Sequence, residues 1–164
     1  NKALAGGALL DAGIYPISFS SMVAGSPAEV EAMSQIGTTG VDEQSFCLFR
    51  YGNGAVASLS AAVRTHVDVE AKIIGTEGKI TVPQFLKATS AELHRFEKEE
   101  TIRRSFPYPD GQGFEFETQE VVDCIRQGKL ESEVMPLDES VSIMHIMDTI
   151  REKVGLEYEN DKRG

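Results

Sequence analysis

The chain has 164 residues, a formal net charge of -10 and two cysteines, with a pI near 4.8. That acidity argues against a nucleic-acid or anionic-membrane partner, which needs clustered Lys and Arg, and no apolar run approaches the ~18 residues that span a bilayer. A chain of this size buries roughly two thirds of its unfolded surface, so a single domain without disulfide staples is expected. Cys47 and Cys124 match no metal spacing and read as small buried residues. With no basic segment leading into an apolar core, a cytoplasmic setting is expected.

In chain order, residues 8–24 read as one helix that should kink where Pro16 removes an N–H and disfavours the helical conformation at Tyr15. A first strand covers 28–36 and stops at Gly37-Thr38-Thr39-Gly40. Residues 43–51 and 55–63 flank Gly52-Asn53-Gly54 and form the clearest hairpin in the sequence. Val67, Val69, Ala71 and Ile73 alternate with polar residues as a further strand. Gly75-Thr76-Glu77-Gly78 turns the chain into a strand over 79–82 that Pro83 ends. Weaker strands over 91–96 and 101–106 precede a loop over 107–113.

The last third changes period. Phe114, Thr118, Val121 and Ile125 recur at helical spacing before Gly128, and Val141, Met144, Ile150 and Val154 do so before Gly155. Strands followed by two amphipathic helices give an α+β class, an open and largely antiparallel mixed sheet with helices on one face. In 43–51 both alternating sets are apolar, Phe46 and Leu48 on one side and Cys47, Phe49 and Tyr51 on the other. Helices can cover only one face, so the other is expected to meet a partner domain or subunit.

The chemistry concentrates at the start, in Gly6-Gly7-Ala8-Leu9-Leu10-Asp11-Ala12-Gly13-Ile14-Tyr15-Pro16. Asp11 and Tyr15 stand four apart, so on a helix they share one face. A carboxylate can hold a hydroxyl substrate, and a tyrosine can pass a proton to or from an alcohol oxygen. The same spacing also suits a surface hydrogen bond. Gly13 between them leaves room for a ligand. No nucleotide-binding fingerprint is present, and His66, His94 and His145 make no metal cluster.

Together with Val41-Asp42-Glu43-Gln44, Ile74-Gly75-Thr76-Glu77-Gly78-Lys79-Ile80 and the run from Met135-Pro136-Leu137-Asp138-Glu139-Ser140 to Met147-Asp148, the opening motif resembles the C-terminal domain of the glucose-fructose oxidoreductase, inositol dehydrogenase and dihydrodiol dehydrogenase family. The resemblance implies a glyceraldehyde-3-phosphate dehydrogenase-like C-terminal fold over residues 1–164, serving substrate binding and oligomerisation. It also implies an N-terminal Rossmann domain, lying outside this chain, that binds NAD or NADP and supplies a catalytic lysine. Without that domain the chain is expected to bind no cofactor and to be inactive.

Carried over by position, Asp11 and Tyr15 match the helix residues that contact the substrate hydroxyl, Tyr15 standing where many relatives have histidine. Gly13, Arg64 and His66 are further candidates for the substrate cleft. The implied activity is oxidation of a hydroxyl on a sugar, polyol or cyclic diol by hydride transfer, in a homodimer or higher oligomer built on the sheet face. A regulatory or dimerisation protein of the same fold is the alternative. Because Asn1 falls almost inside the motif, the sequence reads as part of a longer chain.

Overall fold

The computed structural model describes residues 1–108, 113–159 and 161, so the expected 107–113 loop lies for the most part outside the described residues. They group into two compact units, one from 1–67 with 134–164 and one from 68–133.

The first unit opens with a 3-10 turn, Lys2–Leu4, and a π turn, Leu9–Gly13, which leads into α1, Ile14–Ala24. The helix expected over 8–24 is present, its irregularity being the wide π turn that runs directly into α1 just before Pro16, where the missing N–H and the ring of proline disturb the regular ladder. β1 (Glu29–Ile36), β2 (Asp42–Arg50) and β3 (Val56–Ala62) form an antiparallel meander in that order. Gly54, at a φ of +86°, makes the reversal between β2 and β3.

α3, Leu137–Val154, completes this unit and ends on Gly155 in the left-handed conformation. Its buried stripe is Ile143, Ile146, Met147 and Ile150, the i, i+3, i+4, i+7 pattern of a core-facing helix. Val141 and Met144, which the sequence period puts on that stripe, are exposed. Ile17 of α1 and the α3 stripe pack over Cys47, Phe49 and Tyr51, with Val30, Ala32, Ala57 and Leu59 beside them. Both helices therefore lie on one face of this sheet. Its other face carries Met33 opposite Phe46, then Leu48 and Val56, all exposed.

In the second unit β4 (Ala71–Ile74), β5 (Gly78–Val82), β6 (Ser90–Arg95) and β7 (Glu100–Ser105) pair antiparallel in sequence order. β4 is shorter than the alternation from Val67 implies. Its ladder ends at Ala71 opposite Val82, because the next partner, Pro83, has no N–H to give. α2, Phe114–Arg126, keeps its expected bounds but buries no residue, and Phe114, Val121 and Ile125 are exposed. The α+β class is present as the sequence implies, with its strands divided between two sheets.

Candidate active site

Gly7 begins the site with a φ of +143°. A Cβ there would stand 2.2 Å from Asp42 Oδ1 and 3.3 Å from the Tyr158 hydroxyl, so only glycine lets the chain through. Asp42 heads β2 and is fully buried. Its Oδ2 accepts the Leu9 amide at 2.7 Å and the Ser45 hydroxyl at 2.6 Å, while Oδ1 is buried without a partner among the described residues. The first amides of a helical turn have no partner within it, and here one of them is capped from a strand 33 residues away.

Tyr158 approaches the same stretch from the far end of the chain. Its hydroxyl donates to the Gly6 carbonyl at 2.9 Å, and the Arg151 guanidinium lies 5.0 Å from its ring. Burial, aided by the negative charge of Asp42 and opposed by Arg151, pushes the Tyr158 hydroxyl up from its ordinary pKa of 10.0, so it remains a donor at neutral pH. Burial, then Asp42, likewise pushes the Cys47 thiol up to about 11.

The π turn held in this way presents Asp11 to solvent. Asp11 rims a cleft of about 460 Å³ with Leu10, Val41, Glu43, Val63 and Arg64. Arg64 Nη1 lies 3.2 Å from Glu43 Oε1, so a carboxylate, a guanidinium and a second carboxylate surround one opening. Such a set can bind a molecule bearing several hydroxyls, carboxylates accepting and the guanidinium donating.

Asp11 and Arg64 thus share the cleft, and three other candidates lie outside its lining. Tyr15 is 52% exposed on the first turn of α1. His66 is exposed in the segment that follows β3. Gly13 is buried, and a Cβ on it would meet Leu9 Cδ1 at 3.2 Å and Ala61 Cβ at 3.6 Å. Its lack of a side chain serves close approach of helix and sheet, and the space expected beside it for a ligand is occupied by these two residues. Neither Asp11 nor Tyr15 has a side-chain hydrogen bond or ion pair among the described residues.

Glu43 and Asp42 received no role from sequence. The available signal was an acidic pair at the head of a strand whose centre is apolar, Phe46 to Phe49, since a carboxylate buried there must find donors. A dinucleotide needs a parallel strand, a glycine turn and a helix N-terminus. Every ladder among the described residues is antiparallel. Among them, too, no helix is long and apolar enough to cross a membrane.

Residues 1–81 match the GFO/IDH/MocA C-terminal domain family. The trans-1,2-dihydrobenzene-1,2-diol dehydrogenase of Oryctolagus cuniculus is 33% identical over 170 residues, covering 98% of this chain and 51% of that protein. Its Homo sapiens counterpart is 32% identical over 174 residues, covering 99% and 51%. The crystal structure of the aldose-aldose oxidoreductase from Caulobacter crescentus, complexed with glycerol, matches 92% of this chain and 46% of its own at a TM-score of 0.76 and 18% identity. That last likeness is one of fold. The chain spans about half the length of the curated relatives it matches.

Proposed function

Since the chain is a Gfo/Idh/MocA-type C-terminal domain, we propose that it is the substrate-binding and oligomerisation half of an NAD(P)-dependent oxidoreductase that oxidises a hydroxyl of a cyclic diol, sugar or polyol. The observation that carries this reading is the state of Asp11 and Tyr15, both exposed and both without a polar partner among the described residues. Water alone satisfies them there, so both are free to meet a hydroxyl ligand. The substrate class follows the dihydrodiol dehydrogenases that resemble nearly the whole chain.

In this reading Asp11 accepts a hydrogen bond from the substrate hydroxyl at the cleft rim, and Tyr15, four residues on and outside the cleft lining, meets the part of the substrate that projects from the cleft and handles the proton that leaves the reacting oxygen. Arg64 donates to a neighbouring hydroxyl and turns the ring, with His66 further along the same segment. NAD or NADP, held by a Rossmann domain elsewhere in the full-length protein, supplies the hydride acceptor. The apolar face of Met33, Phe46, Leu48 and Val56 meets a second copy of the chain. Free cysteines at 47 and 124 suit a reducing, cytoplasmic setting.

The test is reduction of NAD+ and of NADP+ by the full-length protein over a panel of trans-dihydrodiols, aldoses and inositols. Turnover of at least one class is expected. Binding of a panel member with no turnover of any would favour the regulatory or dimerisation alternative.

A further inference from the structure

We propose that Asp42 and Tyr158 are positioning residues, a clamp that grips the segment from Gly6 to Leu9 at both ends and so fixes where the turn carrying Asp11 stands. The role assigned to Asp11 rests on the function proposed above. The clamp itself rests on geometry. Asp42 Oδ2 takes the Leu9 amide at 2.7 Å and the Tyr158 hydroxyl gives to the Gly6 carbonyl at 2.9 Å, so only Gly7 and Ala8 lie between the two grips. Gly7 passes the constraint on directly, its carbonyl accepting the Asp11 amide at 3.2 Å.

Each jaw is braced in turn. Asp42 is locked by Ser45, whose hydroxyl lies 2.7 Å from that of Ser34 on β1. Tyr158 is held by its own amide, which donates to Asp161 Oδ2 at 2.7 Å, and Arg151 pairs with both Asp148 and Asp161. Leu156 and Tyr158 pack on Val41, the residue beside Asp42. The segments that carry the two jaws therefore pack together, and the chain after α3 becomes part of what aims Asp11. A tyrosine kept only for packing needs its ring alone, whereas the clamp needs the hydroxyl as well.

The experiment uses the full-length protein with Tyr158→Phe, which keeps the ring, and Asp42→Asn, which keeps an acceptor for the Leu9 amide. Hydrogen exchange at the Leu9 and Asp11 amides is read beside steady-state kinetics and global unfolding. In Tyr158→Phe both amides should exchange at least ~10-fold faster. Its kcat/KM for the hydroxyl substrate should fall about 10- to 100-fold, with KM for the nicotinamide within about twofold and the unfolding transition little moved. Asp42→Asn should show the same changes in smaller degree.

Unchanged exchange in Tyr158→Phe overturns the clamp. Faster exchange with unchanged kcat/KM overturns its positioning role. If the wild type turns over no panel member, the proposed function fails by itself, and the exchange rates still decide the clamp.

Discussion

Asp42 leaves no room for a side chain at position 7: the Cβ of any other residue there would stand 2.2 Å from its Oδ1, a buried atom without a hydrogen-bond partner among the described residues. Gly7→Ala is expected to destabilise the domain by about 3 kcal/mol or more, from backbone strain together with displacement of a buried carboxylate. Gly155 also has positive φ, at +68°, but a Cβ there meets nothing within 4 Å. Gly155→Ala should cost only about 1 kcal/mol, the left-handed penalty alone. Urea unfolding of the two variants side by side checks the difference, and equal losses would mean that Asp42 yields.

The raised thiol of Cys47 predicts an alkaline weakness. In the unfolded chain this thiol loses its proton near its ordinary value of 9.0, whereas in the fold it holds it to about 11. Between those values the folded state binds more protons than the unfolded one, so unfolding free energy falls as pH rises. The contribution is full below about pH 8 and amounts to on the order of 2–3 kcal/mol lost by pH 11. Tyr158 acts in the same sense above its ordinary value of 10.0. Unfolding followed from pH 7 to 11 should show a shallower fall in Cys47→Ala than in wild type. Parallel curves would contradict the burial of the thiol.

Phe46 and Leu48 point away from the helices, with Leu48 61% exposed and the Glu29–Arg50 ion pair at the edge of the same face. If a second copy covers this face, the interface should bury at least ~2,000 Å². Leu48→Glu is then expected to give monomers by sedimentation at micromolar concentration, with the unfolding transition of the monomer intact. A wild type that is itself monomeric would assign the face to another domain.

The β2–β3 hairpin was legible because its turn chemistry and its period agree over a dozen neighbouring residues, and the likeness of the opening motif pointed to Asp11 and Tyr15. The phase of α3 was not legible. Apolar residues stand on both sides of that helix, at Val141 and Met144 as well as Ile143, Ile146 and Met147, and period alone cannot choose between them. The choice is made by β1 and α1, which are distant in sequence. The supports of the site were hidden for the same reason: Asp42 reaches Leu9 across 33 residues and Tyr158 reaches Gly6 across 152, separations at which no spacing rule operates. Gly13 shows the converse, a glycine beside two candidate catalytic residues whose Cβ space belongs to Leu9 and Ala61.

The measurement that bears most directly on the central claim is kcat for the hydroxyl substrate in full-length Tyr15→Phe, read beside its thermal unfolding. Tyr15 is half exposed and without a polar partner among the described residues, so loss of its hydroxyl should move Tm by no more than a degree or two, in keeping with a surface change of under ~0.5 kcal/mol. Removal of a positioned proton-transfer group should lower kcat by ~10² to 10⁴, and Asp11→Asn should raise KM for the same substrate with similarly little effect on Tm. A Tyr15→Phe enzyme that keeps near-wild-type kcat would contradict the account, and the exposed pair would then have no part in turnover.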